Sequence, residues 1–376
     1  MKKLIRSILV LTAMVLGVVW MTPASELPPQ SSQLAQRSPG YLGVQACAEC
    51  HADMVERQRK TVMATALEPI NNCQILSANP KLKFQQGRFN YQIERKGNQS
   101  IYTVTEGQAV VSAPILFCFG QGKSGQTYVY ELGGVKHESR VSFYNAINGL
   151  DITLGHSPEA PKTLVEAAGR AMSVDEEKNC FFCHSTGANI AQRVQLEKTT
   201  PGINCEACHG SGEKHVAAMR AGEKAGENAG TGMKKLGALD GDDITQNVCG
   251  KCHRSVDDVI EMPNRAGINN VRFQPYRIFH SRCYSADRRI GCTACHDPHG
   301  DLEVSPAFYD AKCLACHTTK TEKATAATTE RSARACPTGK NKCTDCHMPK
   351  IDLPGAHFKF TDHRIRIVRE GAPYPN

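Results

Sequence analysis

Aromatic residues are scarce in this 376-residue chain, at 6%, and the sole tryptophan, Trp20, lies among the first two dozen residues. The length allows two or three ordinary domains, yet so few large rings argue against an ordinary side-chain core throughout. Something else is expected to fill the interior. Long hydrophobic runs are equally rare. Only "SILVLTAMVLGVVW", residues 7–20, is uncharged and apolar, and it is short of the ~20 residues that a bilayer span needs. Basic "MKKLIR" precedes it and "MTPAS" follows, with Thr22 and Ala24 where a signal peptidase reads. Residues 1–24 are therefore expected to be a secretory signal peptide and the remainder soluble after cleavage. No cysteine follows the apolar stretch, which argues against a lipoprotein. Strong charge is missing too. Lys and Arg number 45 against 37 Asp and Glu, a net +8, and loss of Lys2, Lys3 and Arg6 with the leader leaves +5. No platform of basic and aromatic residues is present, so the chain carries no signature of nucleic-acid binding.

Cysteine is what the chain has in quantity, eighteen in all. In an exported protein that number would ordinarily mean a disulfide framework. Here the placement says otherwise, because Cys-x-x-Cys-His occurs seven times: Cys47/Cys50/His51, Cys180/Cys183/His184, Cys205/Cys208/His209, Cys249/Cys252/His253, Cys292/Cys295/His296, Cys313/Cys316/His317 and Cys343/Cys346/His347. This is the attachment signature of c-type haem. Two thiols with two residues between them reach the two vinyl groups on one porphyrin edge, and the adjacent imidazole is then held beneath the iron. A single copy would leave a zinc site open. Seven copies with the same histidine, behind an export signal, point to seven covalently attached haems whose iron each histidine would bind. Four cysteines remain, and in an oxidising compartment Cys73–Cys118 and Cys283–Cys336 are the favoured disulfides, with the connectivity open. Seven haems also change the charge. Two propionates and one ferric centre apiece bring the mature protein to about −2 oxidised and about −9 reduced.

Outside the motifs stand seven more histidines: His137, His156, His215, His280, His299, His357 and His363. His299 follows His296 by three residues in "CTACHDPHG" and lies on the same side of that motif's own porphyrin. Any iron it binds must belong to a neighbouring haem. His215 in "CHGSGEKHVAAM" is subject to the same reasoning. His156, His357 and His363 are further candidates for second axial ligands, whereas His137 and His280 read equally well as ordinary side chains. For the first haem the opposite ligand is open between Met63, His137, His280 and none.

A Pro/Ser/Gln-rich linker, residues 25–40, precedes an expected unit at 41–160 that joins the first haem motif to a β-rich insertion. "RFNYQIERKGNQSIYTVTEG" alternates about a Lys96-Gly97-Asn98 turn, a hairpin signal, and "APILFCF", "QTYVYEL" and "SRVSFYNAI" extend it. "PKTLVEAAGRAM" reads as helix. From there a haem-dense domain, 161–376, holds six motifs so closely spaced that the cofactors are expected to be its core. The expected fold class is mainly α and irregular, a haem-packed multihaem cytochrome c fold with a small antiparallel β insertion after the first haem.

"GVQACAECH", "GINCEACHGSGEKH", "RRIGCTACHDPHG", "AKCLACH" and "CTDCHMPKIDLPGAHFKFTDHRI" resemble blocks of the multihaem c-type cytochromes. In particular they are similar to the group of the tetrahaem cytochrome of nitrifying bacteria, pentahaem nitrite reductase and octahaem hydroxylamine oxidoreductase. The likeness spans most of residues 41–368. It implies second ligands at His215, His299, His357 and His363, and matches nothing at His137 or His280. The chain lacks the Cys-x-x-Cys-Lys motif that usually marks the catalytic haem of the nitrite reductases, and has Thr65 where relatives often have His.

The function expected is an electron carrier, periplasmic or otherwise exported, whose irons are mostly six-coordinate and which docks transiently with redox proteins. A membrane quinol-oxidising protein is one candidate partner. The alternative is a reductase or dehydrogenase acting on a small nitrogen or sulfur oxyanion at one five-coordinate haem.

Overall fold

The computed structural model describes residues 40–190, 193–194, 199–223, 233–263, 267–281, 283–284, 290–317, 336, 339 and 341–375. The expected signal peptide, nearly all of the linker and the low-complexity stretch 318–335 lie outside them.

Period-2 burial builds the first large element. In β3 (Phe89–Lys96) and β4 (Gln99–Glu106), Phe89, Tyr91, Ile93, Tyr102 and Val104 point inward while their neighbours face out. The two strands are joined through Gly97 at φ 59, a backbone setting that a two-residue hairpin requires and glycine adopts without strain. Seven more strands join them: β1 (Leu67–Pro69), β2 (Lys81–Gln86), β5 (Ala109–Phe119), β6 (Gln126–Leu132), β7 (Val135–Tyr144), β8 (Gly149–Ile152) and β9 (Gly169–Ala171). The order is β2-β3-β4-β5-β6-β7-β8, antiparallel, with β1 on β5 and β9 on β7. Register shifts at Ile115/Phe117 and Thr127/Val129 add curvature, β2 returns against β8, and the sheet nearly closes into a barrel.

This corrects the fold class expected from the sequence. The protein is not mainly α and irregular with a small insertion, since 25% of it is strand against 35% helix and the β unit is its largest body. The overall scarcity of aromatics hid a local concentration, because five of ten Tyr and five of twelve Phe fall between residues 84 and 144. Those rings make an ordinary core: Phe89, Tyr91, Tyr102, Tyr128, Tyr130 and Phe143 are buried there, and Tyr130 donates its hydroxyl hydrogen to the Ala168 carbonyl at 2.8 Å. "PKTLVEAAGRAM" is helix only over Leu164–Ala168. At Gly169 (φ 142) the chain turns into β9 so close to β7 that an added Cβ would lie 2.1 Å from the Glu138 carbonyl oxygen. Cys73 and Cys118 sit together in this core as free thiols, where a disulfide was expected, with Cys73 Sγ donating to Gln126 Oε1 at 3.2 Å. Cys283 is half-buried and Cys336 exposed.

Phe117 and Phe119 lean edge-on against Phe181 at 5.1 and 5.2 Å, docking the helix Val174–His184 on the sheet. A capping box of Ser173 and Glu176 starts that helix, and the second motif ends it. The remaining motifs sit on short helices and turns: Cys205–His209, Gly250–His253 after a π-helical turn Asp243–Cys249, Cys292–Ala294, the end of Pro306–Leu314, and Cys343–His347. No helix among the described residues is long and apolar enough to cross a membrane.

Candidate haem sites

The first motif lies in the helix Val44–Gln58, which breaks from helical geometry at His51 itself. Its approach is held from elsewhere. Glu206, between the two cysteines of the third motif and buried, accepts from the amides of Leu42, Gly43 and Gly212 at 2.9, 2.8 and 2.9 Å. Arg220 adds an ion pair with Glu49 at 2.8 Å. Asp310 does the equivalent service between the sixth and seventh motifs, accepting from the amides of Lys342 and Cys343 at 2.7 and 2.8 Å, and the Cys343 N–H holds its carboxyl below the usual range. These carboxylates were not foreseen, because neither an x position of Cys-x-x-Cys nor an acid in a preceding helix carries a signal of its own.

The motifs also meet through their thiols. Cys47 lies against Cys205, Cys183 against Cys252, Cys249 against Cys292, and Cys313 against Cys343. No three His, Cys, Asp or Glu side chains converge as a metal cage among the described residues, which is what a zinc site would require.

Four of the predicted haem cysteines depart from the expected enclosed interior. Cys50, Cys208, Cys316 and Cys346 are exposed, whereas all six cysteines of the second, fourth and fifth motifs are half-buried. The four share a position. Each is the second thiol of a motif whose first thiol lies against another first thiol, Cys47 with Cys205 and Cys313 with Cys343. The fourth and fifth motifs pair their first thiols in the same way, Cys249 with Cys292, yet keep Cys252 and Cys295 half-buried.

Five imidazoles among the described residues are turned by the backbone. Nδ1 faces a carbonyl oxygen in His137 (Val135, 2.9 Å), His184 (Ala66, 2.9 Å), His209 (Lys234, 3.3 Å), His347 (Arg366, 2.9 Å) and His363 (Thr361, 2.9 Å). That hydrogen bond fixes the ring and leaves Nε2 as the free donor to a metal. Two pairs of rings then stand out. His209 and His299 have centroids 6.1 Å apart with planes 12° apart, and His296 and His363 have centroids 6.2 Å apart. With a metal–nitrogen bond of about 2.0 Å on each side, two imidazoles sharing one iron place their ring centres roughly 6 Å apart. Both pairs have the ring separation that residues holding one iron would need, and His299 lies beside the third motif's imidazole rather than its own.

His363 is set by a buried network. Arg277, fully buried, forms a two-pronged pair with Asp362 (both contacts 2.9 Å), donates to Asn270 Oδ1 at 3.1 Å and to the Pro375 carbonyl at 2.8 Å, and lies over the Tyr374 ring. Ser281 donates to the His363 carbonyl and accepts from the Ile365 amide, each at 2.8 Å. Desolvation holds the His363 pKa down to about 4, so the ring is neutral near pH 7. His184, His253 and His296 are shifted the same way, chiefly by burial.

The other candidates are placed differently. His215 is on the helix Glu213–Arg220, whose last residue pairs with the first motif's Glu49. His156 Nε2 meets Glu138 at 3.1 Å, and His357 Nε2 meets Asp151 at 2.7 Å with its ring over Tyr144, so both engage carboxylates of the sheet instead of a second imidazole. His137 stacks on Tyr130 in β7, and His280 packs on Tyr276 and Phe279. The Met63 carbonyl accepts from Ile203, next to the third motif. Among the described residues, ring pairing assigns no second imidazole to His51, His184, His253, His317 or His347.

Residues 137–210, which include the second and third motifs, match the family described as cytochrome c554 and c-prime. The solved structure described as outer cell wall cytochrome OcwA is similar with a TM-score of 0.49 and 16% identity, covering 87% of this chain and 80% of that one. No curated protein matches. The family match supports c-type haem attachment in that stretch.

Proposed function

We propose that this chain is an extracytoplasmic heptahaem c-type cytochrome that carries electrons between redox partners. The observation that carries the reading is the conjunction of seven Cys-x-x-Cys-His motifs with two imidazole pairs, His209/His299 and His296/His363, at the separation that one iron spans. Haem supplies one-electron exchange between ferric and ferrous iron.

The chain's residues do the rest. Fourteen thiols would hold the porphyrin edges. His51, His184, His209, His253, His296, His317 and His347 supply one imidazole each. His299 and His363 close the second side at the third and fifth motifs. His215 is the candidate opposite His51, since Arg220 and Glu206 tie its segment to the first motif. Backbone carbonyls orient the rings, and Arg277 with Asp362 keeps His363 in place. At the third and fifth motifs, iron held on both sides by side chains would have no position for a small substrate, which favours a carrier over a reductase there. A charge of about −9 when reduced favours transient, electrostatically guided docking on basic faces of redox proteins. A quinol-oxidising membrane protein is one such partner.

Two measurements on the purified protein test this. A pyridine haemochrome assay is expected to return seven haems per chain, and EPR of the oxidised protein to show predominantly low-spin iron. Far fewer haems would sink the reading. A high-spin fraction that binds cyanide or nitrite would move it to a reductase.

A further inference from the structure

Beside the fourth motif lies a cavity of about 300 Å³, lined by Cys252, His253, Arg254, Met262, Arg272 and Phe273. It differs from the two imidazole pairs in what it offers. Its lining combines the motif's own thiol and imidazole with a thioether, a phenyl ring and two guanidinium groups.

Arg272 Nε is buried with no hydrogen-bond acceptor. Two cations around one cavity, with an orphaned donor, call for an anion between them. Arg254 is held at φ 71, a left-handed setting that strains an ordinary side chain, and in that setting it lines this cavity and the adjoining one of about 350 Å³ beside Cys183.

Met262 is delivered by a short, well-specified helix. Ser255 and Asp258 form a capping box at the start of Val256–Glu261, Val259 is fully buried, and Met262 follows as the terminating residue. A methionine in this position is ordinary core packing if nothing else needs it. Here it shares a cavity with a motif imidazole, and thioether sulfur is an established axial ligand class for haem iron.

We infer that Met262 is the sixth ligand of the iron held by His253, and that Arg272 and Arg254 receive the carboxylates of the same haem. This rests on the haem reading of the motifs and adds an asymmetry to it. His/Met ligation raises a reduction potential relative to bis-imidazole neighbours. The fourth haem is then the first to be reduced in a stepwise titration, next to a fifth haem of lower potential.

The experiment is near-infrared magnetic circular dichroism of the oxidised holoprotein, paired with a potentiometric titration. The wild type is expected to show the thioether-to-iron(III) charge-transfer band at an intensity of one haem in seven. Met262→Ala should abolish it and turn one haem high-spin and cyanide-binding. Met262→His should abolish it, remain low-spin and lower the highest potential in the titration. Met63→Ala should leave it intact. Seven haems with no such band, a band that survives Met262→Ala, or one lost in Met63→Ala, each overturns Met262 while leaving the haem reading standing. A haem count far below seven overturns both.

Discussion

The sheet between Leu67 and Ala171 buries Phe89, Tyr91, Tyr102, Phe119, Tyr128, Tyr130, Phe143 and Tyr144. Beyond residue 190, where five of the seven motifs lie, the buried apolar side chains among the described residues are Ile244, Val259, Val271, Ile278, Leu353 and Ala356, none aromatic. One region is held by its own side chains, in paired strands with alternating inward rings. The other is stitched by buried polar devices such as Glu206, Asp310 and the Arg277–Asp362 pair, around thiols and imidazoles that face one another. One region thus has a core encoded by residue type, whereas the other buries little apolar surface of its own.

The harshest way to break the comparison is to withhold haem. In chain expressed without haem attachment, limited proteolysis read by mass spectrometry is expected to leave a protected fragment near residues 67–172 while the remainder is cut. Equal protection of both regions would show that the second has a side-chain core after all. Next come single substitutions. Phe89→Ala should cost about 3–5 kcal/mol in denaturant unfolding with the haem count unchanged. Arg277→Met removes the two-pronged partner of Asp362 and leaves it Arg366 and the Arg364 amide; it should cost less than the ~3–5 kcal/mol of a fully orphaned buried charge and also disturb the low-spin EPR signal of one haem. If the two variants are indistinguishable in their spectra, the division between the regions fails.

A smaller effect is expected at Glu206→Ala. Three backbone N–H groups lose a charged acceptor, for roughly 1.5–3 kcal/mol, and perturbation should be seen at both the first and the third motif. The smallest is a pH effect confined to the sheet. Burial raises the Glu138 pKa, but the hydrogen bonds from His156 and Arg170 and the Arg170 charge outweigh it, so the folded value lies below the ordinary one. The stability it contributes is present above the unfolded carboxylate range and is lost as pH falls through the folded pKa. Thermal midpoints should drop on acidification, less steeply in Glu138→Gln.

The hairpin about Gly97 was legible in the residues, because apolar and polar side chains alternate on both sides of a two-residue turn. The size of the sheet was not, because composition averages away a cluster of rings confined to one stretch. Nor did Glu206, Asp310 or Arg272 announce themselves, since an acid or a base in a loop or short helix has no period and no spacing to read. The split between enclosed and exposed attachment cysteines was hidden too, as Cys50, Cys316 and Cys346 read in sequence like Cys183 or Cys252 and differ only in what packs beside them. His156 and His357, alike in sequence to the other candidates, meet Glu138 and Asp151 instead.

By itself the sequence determined which residues can hold haem, since two thiols and an imidazole within five positions are placed by a single turn of backbone. Only the tertiary structure decided which imidazoles face each other. His209 meets His299 and His296 meets His363 across long stretches of chain, and no local pattern encodes a contact that depends on how everything between them packs.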